Sequence, residues 1–207
     1  MRTKPYATSI LVFDEVELLD VTGPMALLSA AGRQWNFQPF KLELVSAALG
    51  AVTTRSVVEL TATRTFSTSG AVECLVIPGG YGARKAAEQH AVVDFVRRAA
   101  SEAEFVLLIG NGALVAARAG LLDAGEIAVT PELAEELRTL GVSARLNAES
   151  GICASGKLLS AARSALALDL SCELVARTFG KKLASSLSGS LGVGWAGELE
   201  VVEIIGL

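Results

Sequence analysis

Short strand-like apolar runs, each followed by a turn and then a helical pattern, recur along this chain of 207 residues. The runs TSILVF, VECLVI and EFVLLI begin at residues 8, 72 and 104, and each is a nearly continuous apolar stretch. Such strands are usually covered on both faces, as in a parallel sheet with crossover helices on either side. The pattern predicts one α/β domain over residues 1–207, with a parallel sheet and helices on both faces.

The composition excludes several classes of protein. Hydrophobic residues make up 51% of the chain and charged residues 19%, which is too apolar for a disordered protein. The formal net charge is −4 and no run of Lys and Arg exceeds two residues, so we expect no nucleic-acid partner. The apolar runs are far shorter than the ~20 residues of a membrane span. Acidic residues appear by Asp14, which argues against a signal peptide.

Cysteine and histidine are scarce. Cys74, Cys153 and Cys172 form no CxxC pair, so we expect no metal site, no disulfide framework and a cytoplasmic location. We also expect no cofactor. Each cysteine is predicted to be a small buried residue. The single histidine, His90, is expected on the surface at the start of an amphipathic helix that runs to Ala103.

Capping and turn residues predict the remaining elements. Thr22 is the predicted N-cap of a helix that ends at Gly32. A Ser/Gly stretch over 185–197 is expected to lead into a terminal alternating strand, ELEVVEII, which either pairs with a neighbouring molecule or caps its own sheet. Further predicted elements are hairpins at 51–60 and 144–160, a strand at 126–130, and helices at 132–140 and 163–179.

Three segments end strands with unusual residues, and ligands in parallel sheets bind at the carboxyl ends of strands. We therefore expect a cleft where the segments 14–24, 78–82 and 110–112 meet. The predicted ligand-binding residues there are Gly79, Gly80, Tyr81, Gly110, Asn111 and Gly112.

The turn after EFVLLI resembles a nucleophile elbow, in which a strained residue projects into a cleft. Its apex is Gly110, which accepts a positive φ but supplies no nucleophile. The amides of Asn111 and Gly112, near a helix N-terminus, would still favour an anion or an oxyanion. The alternative is a plain strand–helix turn that uses glycine for tightness.

Two charged residues have both a functional and a structural interpretation. Asp20 is a candidate acid or base, or else a carboxylate that favours the start of a helix. Arg163 begins a predicted helix, where positive charge is unfavourable, so it either binds an anion or is simply exposed. Asp14 and Glu15 are further candidates for the cleft.

Four blocks of sequence carry a resemblance to a known family. They are FDEVELLDVTGP (13–24), VIPGGYGAR (76–84), GNGALVAARAGLLDAG (110–125) and SGKLLSAARSALALDLSCELVARTFG (155–180). The chain resembles the ThiJ/PfpI superfamily, which is related to class I glutamine amidotransferases. It looks nearest to the isonitrile hydratases and to the sensor domains of some AraC-type regulators. The resemblance implies a flavodoxin-like, amidotransferase-like sandwich and a homodimer.

The same resemblance implies site residues. The catalytic cysteine of the superfamily falls on Gly110, the following residue, commonly threonine, on Asn111, and the acidic residue of the DLTGP-type motif on Asp20. In the hydratase branch that acid is implied to hold water or to exchange protons with substrate. A histidine that many members carry has no counterpart in IAVTP (127–131). Arg163, or its neighbour, stands where members often have glycine.

These residues leave three functional hypotheses. The favoured one is a pseudoenzyme that binds or senses a small molecule, because both the thiol and the histidine are missing. The alternative is an isonitrile hydratase-like enzyme that uses Asp20 with Asn111. A third is an interaction module in which the dimer surface matters more than the cleft. Gly110 is the feature that separates the first two.

Overall fold

A sheet of eight strands forms the centre of the computed structural model, which describes residues 4–33, 37–195 and 201–202. Two further pairs of strands, β3–β4 and β8–β9, lie outside this sheet. The strands are β1 Tyr6–Leu11, β2 Phe40–Ser46, β3 Gly50–Thr53, β4 Glu59–Ala62, β5 Arg64–Thr65, β6 Cys74–Ile77, β7 Phe105–Ile109, β8 Glu126–Ala128, β9 Arg145–Asn147, β10 Ile152–Ser155, β11 Leu158–Ala161 and β12 Val201–Val202.

Across the main sheet the strand order is β12, β10, β11, β7, β6, β1, β2, β5. Neighbouring strands are parallel except for the hairpin β10–β11. The chain moves outward in one direction from β1 to β2 and in the other from β6 to β7. The carboxyl ends of β1 and β6 therefore flank a topological switch point, where open α/β sheets bind ligands.

Helices cover both faces of the sheet, as predicted. The helices α1, α6 and α7 contact one another in one layer, and α2, α3 and α4 contact one another in a second. Among the described residues, no helix is both long enough and apolar enough to cross a bilayer. The helices are α1 Leu18–Arg33, α2 Ala83–Glu88, α3 His90–Glu102, α4 Ala113–Arg118, α5 Pro131–Thr139, α6 Ala167–Phe179 and α7 Lys181–Leu191.

The continuous apolar strands are buried on both faces. Every residue of β6 is buried, and in β7 only Phe105 is partly exposed. A fully buried leucine or isoleucine contributes about 1.5–3 kcal/mol relative to an exposed one. Two-sided burial is the reason why these strands lack alternation, and the predicted fold class is confirmed.

The first helix differs from the prediction. It begins at Leu18 rather than after Thr22, and the Thr22 hydroxyl donates to the Leu18 carbonyl at 2.9 Å within the helix. Pro24 is therefore an interior residue without an amide to donate. Burial of Val21 and Leu27 against the sheet outweighs the local capping signal. Gly32, the predicted end, lies within the helix, which the structure describes as far as Arg33.

The Ser/Gly stretch is another correction, because residues 185–191 belong to α7. Leu183, Ala184 and Leu187 are buried at helical spacing, so tertiary packing overrides the weak helix propensity of serine and glycine. Of the terminal run, Val201 and Val202 pair with β10 of their own sheet. Residues 196–197 and the rest of that run lie outside the described residues.

The two predicted hairpins are present, and the strand at 126–130 is shorter and lies outside the main sheet. Val52 pairs antiparallel with Leu60, and Cys153 with Ser160. The helix predicted from Arg163 begins instead with a 3₁₀ turn at Ser164–Leu166, and its α-helical part starts at Ala167. Arg163 itself has extended backbone angles, φ −141° and ψ 149°.

Candidate functional site

Asp20 is held in the first turn of α1, at the end of the β1–α1 connection. Its side chain is buried, with 1% of the residue exposed. The Gly79 amide, just beyond β6, donates to Asp20 Oδ2 at 2.8 Å. The Asp20 amide donates to the Glu17 carbonyl at 3.1 Å. These contacts place a carboxyl group at the switch point between β1 and β6.

The environment of Asp20 disfavours its charged form. Burial raises the pKa of this carboxyl from its ordinary value of 3.8 to about 6, although Ser164 and the Gly79 amide lower it in part and Glu17 raises it further. Oδ1 is buried and makes no hydrogen bond to any described residue. A buried acceptor without a partner is costly. Oδ1 is therefore the carboxylate oxygen most suited to receive a proton.

Gly79 connects Asp20 to the turn that follows β7. A Cβ at position 79 would lie 2.5 Å from Asn111 Oδ1 and 2.9 Å from the Ile109 carbonyl oxygen. Only glycine allows the end of β6 to approach the end of β7 so closely. The predicted meeting of the three strand-end segments is thus observed, because Gly79 contacts both Asp20 and Asn111.

The Asn111 side chain is hydrogen-bonded to the backbone of Gly80. Its Oδ1 accepts from the Gly80 amide at 2.8 Å, and its Nδ2 donates to the Gly80 carbonyl at 2.9 Å. Gly80 in turn forms a bridge with Val16 of the β1–α1 connection. Asn111 therefore positions the loop after β6 and has no other hydrogen bond from its amide to a described residue. It is placed for a structural role rather than for proton transfer.

Gly110 has the backbone of an elbow. Its φ is +51°, and a Cβ there would meet nothing within 4 Å. A side chain at this position would project into open space at the end of β7. Gly112 differs, because it is buried and a Cβ there would lie 2.5 Å from the Ile77 carbonyl oxygen. Gly112 therefore packs beneath the turn.

Arg55 is a residue of this region that the sequence did not indicate. Its guanidinium lies 5.0 Å from the centre of the exposed Tyr81 ring, a cation–π distance. Its amide donates to the Val16 carbonyl at 2.9 Å, which ties the β3–β4 hairpin to the connection that leads to Asp20. The sequence carried no local signal for this contact, because the packing of a hairpin against distant loops is a tertiary property.

Arg163 is exposed and influences Glu132 at the start of α5. The pKa of Glu132 is lowered by its own backbone hydrogen bond, by the Thr130 hydroxyl and, to a smaller extent, by Arg163. Ser164, which sequence reasoning missed, lies next in the chain and beside Asp20. No local pattern marks it, because a serine at the start of a helix is common.

The other candidate side chains lie away from the Asp20 carboxyl or are unreactive. Asp14 and Glu15 are exposed, and Asp14 Oδ1 accepts from the Thr53 amide at 3.2 Å. His90 is exposed at the start of α3. Burial raises the thiol pKa of all three cysteines, for Cys172 to about 12. A thiol that stays protonated is a poor nucleophile. The described residues contain no group of three or more His, Cys, Asp or Glu placed to hold a metal ion.

The comparison with known families agrees with this fold. The DJ-1/PfpI family matches residues 8–177, which includes every site segment described above. The chain belongs to the DJ-1/PfpI family. The residue at position 110 is therefore compared with the corresponding residue of other members of this family.

Two relatives of this DJ-1/PfpI protein are informative. Isonitrile hydratase from Pseudomonas putida is 32% identical over 112 residues, an alignment that covers 54% of this chain and 46% of the hydratase. The match thus spans about half the length of that curated relative. A ThiJ/PfpI family protein from Pseudomonas syringae has a crystal structure with a TM-score of 0.82 and 19% identity, covering 96% of this chain and 79% of the other.

A third similarity concerns a regulator. The structure of an AraC family transcriptional regulator from Pseudomonas putida matches with a TM-score of 0.75 and 23% identity, covering 90% of this chain and 100% of the other. At these identities the structural matches show a shared fold. The predicted superfamily and the flavodoxin-like, amidotransferase-like architecture are confirmed.

Proposed function

We propose that this DJ-1/PfpI protein binds a small polar molecule beside Gly110 and recognises it through Asp20 rather than through a cysteine nucleophile. The observation that carries the proposal is the buried, unpartnered Oδ1 of Asp20. A ligand N–H or O–H placed there removes the cost of a buried acceptor without a partner.

Gly110 supports a site without a thiol. We propose that it stands where many relatives carry the reactive cysteine, since its positive φ and the open space above it suit a projecting side chain. The native cysteines do not replace that group, because all three are buried and have raised pKa values. Recognition then depends on Asp20 and on backbone groups of the loop held by Asn111.

A second candidate function is hydration of an isonitrile by Asp20 alone. It is favoured by the pKa of Asp20, about 6, and by the 32% identical hydratase. A carboxylic acid with such a pKa is half protonated near pH 6 and still about one-tenth protonated at pH 7, so it suits general acid catalysis. Asn111 has no part in this version, because its amide is held by Gly80.

The reaction balances with water as the only co-reactant. The Asp20 acid gives its proton to the terminal carbon of R–N≡C, and a water molecule adds to that carbon through its oxygen. The water then returns a proton to the Asp20 carboxylate, which leaves R–N=CH–OH. Tautomerisation gives the formamide R–NH–CHO, and the acid is regenerated.

One experiment separates the two functions. The wild type, Asp20→Asn and a matched surface variant, Asp123→Asn, are incubated with benzyl isonitrile and followed by proton NMR. A protein that only binds forms no N-benzylformamide. Because an isonitrile has no N–H or O–H to donate to Asp20, binding is followed in a parallel sample by the broadening of benzyl alcohol signals, which Asp20→Asn is expected to remove. A hydratase forms N-benzylformamide at a rate that falls about tenfold per pH unit above pH 6, because the acid form is consumed.

Two outcomes would contradict these proposals. If Asp20→Asn binds and reacts as the wild type does, Asp20 is not the recognition group. If the wild type neither binds nor converts benzyl isonitrile, the hydratase is excluded. The binding proposal then stands on a screen of small amides and alcohols, in which it fails if no compound binds the wild type more tightly than Asp20→Asn.

We also propose a homodimer and a cytoplasmic location. The apolar composition and the exposed side chains of Leu49 and Val57 on and beside the β3–β4 hairpin support association. Three free buried thiols suit a reducing compartment. Light scattering at micromolar concentration tests the dimer, and a monomeric mass would contradict it.

A further inference from the structure

A cavity lies on one face of the sheet, over the first halves of β1 and β2, whereas Asp20 lies beyond the carboxyl end of β1. Its volume is about 340 Å³, within the roughly 300–1,000 Å³ of small-molecule sites. Ala7 and Ser9 pair in register with Lys41 and Glu43. Paired residues of parallel strands point to the same face, so these four side chains line one side of the cavity.

The opposite side is formed by the segment that leads into β6, including Thr68. This segment is fixed to α3 in two ways. The Phe66 ring stacks on Phe95 with centroids 4.5 Å apart, and Arg98 Nη2 donates to the Phe66 carbonyl at 2.8 Å. The cavity is therefore preformed, which reduces the cost of ordering it on binding.

Two cations and one carboxylate face this space. Glu43 Oε1 lies 3.0 Å from Lys41 Nζ and 3.6 Å from Arg64 Nε. The Glu43 side chain is 17% exposed, against 66% for Lys41 and 49% for Arg64. The carboxylate thus lies deeper than the two cations, which lie nearer to solvent. The Ser9 hydroxyl also lines the cavity and makes no hydrogen bond to a described residue.

We propose that this cavity binds a small hydroxycarboxylate monoanion. The ligand carboxylate contacts Lys41 and Arg64 near the mouth, and the ligand hydroxyl donates to the Glu43 carboxylate and accepts from Ser9. Three charged groups with a net charge of +1 match a monoanion, and the carboxylate of Glu43 repels a phosphate dianion. Both ends of the ligand are recognised, which is the basis of specificity for a bifunctional molecule.

Calorimetric titration of the full chain with D-glycerate tests the proposal. Saturable binding is expected, with propionate, glycerol and inorganic phosphate each at least tenfold weaker. Arg64→Met and Glu43→Gln are each expected to weaken glycerate binding at least tenfold. The matched control is Arg97→Met, which removes an exposed arginine paired with Asp94 and is expected to change affinity less than twofold.

The proposal is overturned if glycerate does not bind, or if phosphate or propionate binds as tightly. It is also overturned if Arg97→Met weakens binding as much as Arg64→Met, because the effect is then that of net charge. If Glu43→Gln does not fold, Ser9→Ala provides the test. Loss of this one neutral hydroxyl is expected to weaken glycerate binding at least threefold and to leave propionate binding unchanged. Equal effects on both ligands would exclude recognition of the hydroxyl.

Discussion

Replacing Asp20 with asparagine tests the electrostatics of the site directly. Asparagine keeps the size of the side chain and an oxygen for the Gly79 amide, but it carries no ionisable group. Because the pKa of Asp20 is about 6 in the folded protein and 3.8 ordinarily, the folded state binds the proton more tightly than the unfolded state. The free energy of unfolding of the wild type therefore falls as pH rises from 4 through 6.

The size of the effect follows from the pKa difference. Each pKa unit corresponds to about 1.36 kcal/mol, so ionisation of Asp20 costs the folded state about 3 kcal/mol above pH 7. Asp20→Asn is expected to have the stability of the wild type near pH 4 and to exceed it by up to about 3 kcal/mol at pH 8. Urea unfolding followed by far-UV circular dichroism at pH 4, 5, 6, 7 and 8 measures this difference.

A surface carboxylate provides the control. Asp123 is exposed in the bend before β8, and Asp123→Asn is expected to change stability by less than about 0.5 kcal/mol at every pH. The reasoning is refuted if the pH profiles of the wild type and Asp20→Asn run parallel between pH 4 and 8. That result would mean that the carboxyl is solvated or partnered in the folded protein.

Three further changes test the turn and the surroundings of Asp20. Gly110→Cys is expected to cost about 1–2 kcal/mol, because φ is positive there, and to create a thiol that iodoacetamide alkylates faster than the native cysteines. Gly156→Cys is its control, since Gly156 has φ +56° and open space around it; equal alkylation rates would contradict an activating environment at position 110. Gly79→Ala is expected to lower stability by about 1–3 kcal/mol in urea unfolding, since its Cβ would meet backbone and Asn111, and an unchanged midpoint would contradict the close approach. Ser164→Ala is expected to raise the pKa of Asp20 above 6, because the hydroxyl lowers it, as measured by carboxyl NMR titration; a lowered pKa would contradict this.

The sequence determined the fold class because burial on both faces leaves a local mark. Strands such as VECLVI contain few polar residues, and helices such as 90–103 show an apolar face. The alternation of strands and helices can therefore be recognised in the sequence without the structure. The same local signals indicated the turn at Gly110 and the Ser155–Gly156 hairpin. Misleading local signals produced the errors. The residue type of Thr22 is typical of an N-cap, and the composition of residues 185–191 is typical of a loop. Both segments nevertheless lie in helices whose apolar residues are buried.

The tertiary structure decided the chemistry of the site. Asp20 was a candidate in the sequence, but only the packing of α1 against the loop after β6 removes it from water, gives Oδ2 the Gly79 amide and leaves Oδ1 alone. Asn111 was a candidate proton-transfer partner in the sequence, but in the structure its side-chain amide is hydrogen-bonded to the backbone of Gly80 through both its oxygen and its nitrogen. Arg55 and Ser164 reach the site from elements distant in the chain. A pKa and a hydrogen-bond partner depend on what surrounds a group in space, and residues far apart in sequence supply those surroundings.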